Sequence, residues 1–149
     1  MYLMTHVFSK VQDVLEIYKT AVYEKDVEKF LSMYAPEMHI YDCWGKWEVK
    51  DLFSWKKNVA EWFNGLNEDG VLLKVDFRDL VVEEDSNLTI VYCTVTFTAH
   101  KEEAGEQLRQ MTNRFTYGLK KVNESWFIAH EHSSLPINIE TGKGIFNMK

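Results

Sequence analysis

The sequence predicts a single α+β domain in which three helices pack on a curved antiparallel sheet. Its 149 residues are the length of one domain. Apolar residues recur at helical spacing as far as Leu66, and from Val71 onward they alternate with polar residues at a spacing of two. Helices followed by a run of strands favour two segregated layers, with a space between the layers in which a ligand can bind.

The three helices are predicted from their apolar faces and their caps. Asp26 and Asp51 stand where the N-caps of the second and third helices are expected, and Pro36 limits the second. The residues of the first helix that are expected to face the core are Val7, Val11, Val14, Leu15, Tyr18 and Val22. The inward residues expected of the other two are Phe30, Leu31 and Tyr34, then Leu52, Trp55, Val59, Trp62, Phe63 and Leu66.

A short strand is predicted over residues 38–42, with a turn at Gly45 after it. Four long strands are then expected to run as a meander, over 71–81, 88–100, 107–121 and 126–134. Residues 1–136 therefore make up the predicted domain. The polar tail, 137–149, contains two glycines and is expected to be loosely held.

Composition excludes several classes of partner and cofactor. Asp and Glu number 23 against 17 Lys and Arg, which argues against nucleic acid and anionic membrane surfaces. The first ten residues carry no signal pattern and no apolar run is long enough to span a bilayer, so we expect a cytoplasmic protein. Cys43 and Cys93 lack metal-ligand spacing and are expected to be buried thiols, and no motif indicates a metal or a cofactor.

The last two strands carry motifs that are more specific than periodicity. The run from Trp126 through the His130-Glu131-His132 triplet to Ser134 and Pro136 resembles the closing strand of SnoaL-like and ketosteroid isomerase-like proteins. These belong to the nuclear transport factor 2-like superfamily. Further elements that resemble the same family are Arg114 with Thr116, Lys120-Lys121, Ile40-Tyr41-Asp42 and Trp62-Phe63.

The resemblance implies a cone-shaped, cystatin-like fold in which a curved sheet and helices enclose an apolar pocket. Members of the family include isomerases, polyketide cyclases, dehydratases, hydrolases and non-catalytic association domains, which often dimerise through the sheet. Fold alone does not choose between these functions.

Asp42 is the carboxylate most suited to chemistry, because it ends a strand beside Tyr41, Cys43 and Trp44. A carboxyl among rings and away from water has a raised pKa, which suits a general acid or base. The alternative is structural: Asp42 caps the turn before Gly45 or pairs with Arg114.

The last strand offers two histidines. Alternation places His130 and His132 on one face with Trp126 and Ile128, where they can line the pocket, and His132 is a candidate acid–base group. Their alternative role is to hydrogen-bond neighbouring strands.

The remaining candidates are expected to bind a ligand without taking part in a reaction. Arg114, inside a strand, needs a carboxylate from the protein or from a ligand. Tyrosine donors and large rings complete the set of candidate ligand-binding residues: Tyr34, Tyr92, Trp44, Trp47 and Trp55.

Two functions fit these residues. The first is a pocket for a small apolar organic molecule, with Asp42 and His132 as acid–base groups in an isomerase, cyclase or hydrolase. The second is a non-catalytic module that forms a homodimer through its sheet.

Overall fold

The computed structural model describes residues 7–147, so the first six residues of the predicted domain and the last two of the tail lie outside it. Helices precede strands, as predicted for an α+β domain. The elements are α1 (Val11–Glu24), α2 (Val27–Leu31), β1 (Tyr34–Tyr41), α3 (Leu52–Glu68), β2 (Val71–Glu84), β3 (Leu88–Lys101), β4 (Gln107–Val122) and β5 (Ser125–Ser134).

Both predicted N-caps hold their helices. Asp26 accepts a hydrogen bond from the Lys29 amide at 3.0 Å, and Asp51 accepts one from the Ser54 amide at 2.7 Å. Two helical assignments were wrong: Val7 precedes α1 and is largely exposed, and Tyr34 begins β1.

The five strands form one sheet in the order β1-β5-β4-β3-β2. Strands β2 to β5 make the predicted antiparallel meander, and β1 pairs parallel to β5 at the edge. Pro36 lies within β1 instead of ending a helix. A residue without an amide hydrogen is tolerated at a sheet edge, where no second neighbour needs that hydrogen.

Strand β5 contains a bulge that reverses its alternation. Leu119 of β4 is opposite Ile128, whereas the adjacent Gly118 is opposite His130, so Ala129 is an extra residue. Before the bulge Trp126 and Ile128 face the core; after it the inward residues are Glu131 and Ser133. The bulge therefore decides which polar side chains of β5 reach the interior.

The core lies between the helices and the inner face of the sheet. Phe30 has no exposed surface and its ring is 5.1–6.4 Å, centroid to centroid, from those of Tyr18, Tyr34, Trp55, Trp62 and Phe63. This aromatic cluster joins α1, α2, β1 and α3.

The C-terminal tail is better held than expected. A bridge joins Ile137 to Gly144, and the Ile145 amide donates to the Pro136 carbonyl at 2.8 Å, which closes a small hairpin. The Thr112 amide donates to the Phe146 carbonyl, also at 2.8 Å, and fastens the hairpin to β4.

Candidate functional site

A pocket of about 880 Å³ opens between α3 and the inner face of strands β2 to β5. Its volume is in the range of sites for small organic ligands. Its walls are mainly apolar and aromatic, among them Trp55, Val59, Trp62, Leu66, Leu73 and Phe97. Three carboxyl groups interrupt these walls: Glu61 is exposed, whereas the other two, Asp42 and Glu131, are half-buried and buried.

Glu131 is the more buried of the two carboxyls, with 3% of its surface exposed. Burial is the main cause that raises its pKa from 4.5 to about 8; the nearby charge of Asp42 adds to this shift, and a hydrogen bond from Tyr34 opposes it. The Tyr34 hydroxyl donates to Oε1 at 2.6 Å. At pH 7 Glu131 is therefore mostly protonated, and its carboxyl can donate a hydrogen bond.

Asp42 lies just beyond β1 and is only half-buried. Burial raises the pKa of its carboxyl above 3.8, but hydrogen bonds from Ser133 and from the Cys43 and Trp44 backbone favour the charged form. The Ser133 hydroxyl donates to Oδ1 at 3.0 Å. Since better solvation and these donors stabilise its charge, Asp42 ionises before Glu131.

The pocket thus pairs a carboxylate with a carboxylic acid. Two carboxyls whose surroundings separate their pKa values can act as base and acid at the same pH. Ser133 holds Asp42 and lies two residues after Glu131 on the same inward face of β5. The bulge in β5 brings this arrangement into the pocket.

Two rings stack at the pocket mouth. The centroids of Trp44 and Phe146 are 5.6 Å apart and their planes differ by 19°. Both rings line the pocket, Trp44 from the segment after β1 and Phe146 from the C-terminal hairpin. The tail therefore contributes to the site, which sequence analysis missed.

The structure brings some of the sequence-predicted site residues together. Asp42, Trp44 and Trp55 line the pocket, and Tyr34 lies behind its wall in contact with Glu131. Trp47 does not line the pocket: it is 91% exposed in the segment between β1 and α3.

Four other candidates, Tyr92, Arg114, His130 and His132, lie on the outer face of the sheet. Tyr92, Thr116, His132 and Tyr41 follow one another in register across β3, β4, β5 and β1. Arg114 lies in the next row, between Thr94 and Ser134.

The prediction that His130 and His132 face the pocket was therefore wrong, because the bulge at Ala129 reverses the alternation that it assumed. The His130 ring bonds the carbonyl of His39 through Nδ1 at 2.6 Å, which is a contact between strands. Arg114 is exposed and reaches neither pocket carboxyl, and none of the ion pairs among residues 7–147 includes it.

Three further features of residues 7–147 concern metal binding, membrane spanning and the cysteines. Within residues 7–147, no group of three or more His, Cys, Asp or Glu side chains is placed to hold a metal ion. Over the same residues, no helix combines the length and the apolar character needed to cross a membrane. Cys93 is buried and Cys43 half-buried, both as free thiols.

The fold and sequence resemble those of known proteins. A protein of unknown function from Pseudomonas putida, described as NTF2-like, superposes with a TM-score of 0.80 at 19% identity, over 95% of this chain and 94% of that one. The protein Aln2 from a Streptomyces species gives a TM-score of 0.72 at 13% identity, over 83% and 86%.

A Xanthomonas campestris protein described as a putative calcium/calmodulin dependent protein kinase II association domain gives a TM-score of 0.69 at 16% identity, over 90% and 95%. At these identities the likeness establishes the fold alone. No curated protein matches the chain significantly. The family model of the SnoaL-like domain matches residues 11–138, which is most of the chain, and this protein therefore belongs to the SnoaL-like domain family of NTF2-like folds.

Proposed function

We propose that the pocket binds a small, largely apolar carbonyl compound and moves a proton at the carbon next to the carbonyl. The observation that carries this proposal is the pairing of Asp42 and Glu131 in one apolar pocket with separated pKa values. Asp42, as the carboxylate, would accept the proton from carbon. Glu131, as the acid, would donate a hydrogen bond to the oxygen on which negative charge develops.

Surrounding residues would support each carboxyl. Ser133 positions Asp42 through its hydroxyl, and Tyr34 positions Glu131. The apolar walls exclude water, which strengthens the hydrogen bond to the developing enolate. Isomerisation, cyclisation and dehydration all can begin with this proton transfer, so the pocket's shape would select among them.

Exchange of carbon-bound hydrogen tests the proposal without knowledge of the natural substrate. In deuterium oxide, the protein should accelerate loss of the α-proton signal of propiophenone, followed by NMR. Asp42→Asn should slow the protein-dependent rate roughly a hundredfold or more, because a positioned general base contributes about that factor.

The matched control is Asp76→Asn, which makes the same change at an exposed position on β2. It should leave the exchange rate unchanged. If Asp42→Asn and Asp76→Asn exchange at the same rate as the unmodified protein, Asp42 is not the base.

A second role, as a homodimeric association module, is favoured by the outer face of the sheet. Tyr41, Ile90 and Tyr92 are between 38% and 50% exposed on that face. Large rings and apolar side chains on an open sheet face are covered efficiently by a second copy related by a two-fold axis. The name of the Xanthomonas protein fits such a role.

Light scattering after size exclusion should give twice the mass of one chain if this face is an interface. The double variant Ile90→Asp/Tyr92→Asp should elute as a monomer, because it would place four negative charges across the two-fold axis. Trp47→Asp/Phe53→Asp, which changes exposed apolar residues on α3 and in the segment before it, should remain dimeric. A monomeric parent protein at micromolar concentration would exclude the dimer.

A further inference from the structure

The pocket mouth carries two cations, one on each wall. Lys46 lies in the segment between β1 and α3, where its Nζ donates to Asn58 Oδ1 at 3.1 Å. Arg109 lies on β4 opposite Ala99, and both line the pocket. Directly opposite residues in an antiparallel pair share a face, so Arg109 is on the pocket side of the sheet.

Alternation along β4 shows how this wall changes from interior to mouth. Asn113 is buried, Met111 is half-buried and Arg109 is exposed, and all three line the pocket. Along this face of β4, the lining residues therefore become more exposed from Asn113 in the interior to Arg109 at the opening.

Neither cation is neutralised by a protein carboxylate. None of the ion pairs formed among residues 7–147 includes Lys46 or Arg109. Glu61, on α3, is the carboxylate that lines the outer part of the pocket with them, so the mouth keeps an excess of positive charge. This is unusual for a chain with a net charge of -6.

The interior has the opposite character. Its carboxyl groups are those of Asp42 and Glu131. The two cations among the lining residues, Lys46 and Arg109, both lie at the mouth. A ligand anion placed deep in the pocket would face Asp42 without a compensating charge, at a large cost in free energy. The same anion at the mouth would meet two cations that remain hydrated.

We infer that the ligand is an amphiphilic monocarboxylate, bound with its carboxylate between Lys46 and Arg109 and its apolar, carbonyl-bearing end toward Asp42 and Glu131. The orientation of the inner end rests on the proposed function; the position of the carboxylate does not. A monocarboxylate matches the planar fork of an arginine. With Glu61 beside the two cations, the mouth has an excess of one positive charge, which a monocarboxylate balances and a doubly charged phosphate exceeds.

Calorimetric titration with benzoylpropionate and with its uncharged methyl ester tests the inference. The unmodified protein should bind the acid about tenfold more tightly than the ester, as expected of two partly exposed charge contacts. Added sodium chloride should weaken binding of the acid and leave that of the ester unchanged, since salt screens exposed charges.

The variant Lys46→Ala/Arg109→Ala should lose the preference for the acid and keep its affinity for the ester. Both residues are exposed, so the fold should be unaffected. The matched control, Lys57→Ala/Arg114→Ala, removes the same charge from positions outside the pocket lining and should keep the preference.

Equal binding of acid and ester, failure of both to bind, or a preference that survives in Lys46→Ala/Arg109→Ala would overturn the inference. Its failure is separable from that of the proposed function. Exchange of propiophenone, which has no carboxylate, depends on Asp42 and should be insensitive to the loss of Lys46 and Arg109.

Discussion

Replacing Glu131 by glutamine should remove most of the pH dependence of the free energy of unfolding between about pH 5 and pH 8. In the folded protein burial raises the pKa of this carboxyl from 4.5 to about 8. Its contribution to stability is therefore complete below the pKa of the unfolded chain and is lost as the pH rises through about 8. A shift of this size corresponds to a contribution on the order of 3–5 kcal/mol.

Urea denaturation across this pH range measures the effect. Glutamine cannot ionise, so the unmodified protein should lose stability relative to Glu131→Gln as the pH rises. Asp42 also has a raised pKa and contributes in the same direction at lower pH, but it is present in both proteins and largely cancels in the difference.

Glu103→Gln, in the exposed turn between β3 and β4, should follow the unmodified protein. If the difference in free energy of unfolding between Glu131→Gln and the unmodified protein stays constant from acid to alkaline pH, Glu131 is charged in the folded state. A carboxyl carbon that titrates near pH 8 in the NMR spectrum, and is absent from Glu131→Gln, would identify the group directly.

The spacing of apolar residues along the sequence was sufficient to predict the order and type of the elements. The inward residues of α3 and the alternation that begins at Val71 placed the elements within a few residues of where the structure has them. Such patterns work because burial is repeated many times along an element, so one irregular residue does not conceal the period. The family motifs then indicated the pocket, and Asp42 at the end of β1 was found on its wall.

The second carboxyl was missed because a single extra residue changes the parity of a strand. Sequence alternation put Glu131 on the face opposite Trp126, and the bulge at Ala129 returned it to the interior. One signal was available: Gly118 interrupts an otherwise strand-like run, and a glycine inside a strand often marks a bulge. It pairs with His130 at the irregularity, where a β-carbon on Gly118 would be 3.6 Å from that of His130.

The role of the tail was not readable from its composition. Polar residues and two glycines favour a mobile end, and Phe146 is an isolated aromatic with no periodic partner. In the folded chain its ring stacks on that of Trp44, about a hundred residues earlier in the sequence. Contacts between two irregular segments leave no pattern in either segment alone.

Phe30→Ala should destabilise the protein by about 3–5 kcal/mol, because it empties the centre of the aromatic cluster. Phe30 has no exposed surface and contacts rings on three other elements, including Trp55 and Trp62 of the pocket wall. Those rings belong to rigid helices and to β1, so they cannot collapse fully into the space, and the cavity adds its cost to that of the lost burial.

Phe53→Ala provides the comparison, since it deletes the same ring from α3 at a position that is 82% exposed. Its free energy of unfolding should stay within about 0.5 kcal/mol of the parent value. Phe30→Leu, which keeps most of the volume, should fall between the two. Equal stabilities of Phe30→Ala and Phe53→Ala would mean that the cluster does not hold the helices to the sheet. The ring of Tyr34, which orients Glu131, packs on that of Phe30 with centroids 5.5 Å apart. Equal stabilities would therefore also mean that residues other than Phe30 hold Tyr34, and with it Glu131, in place.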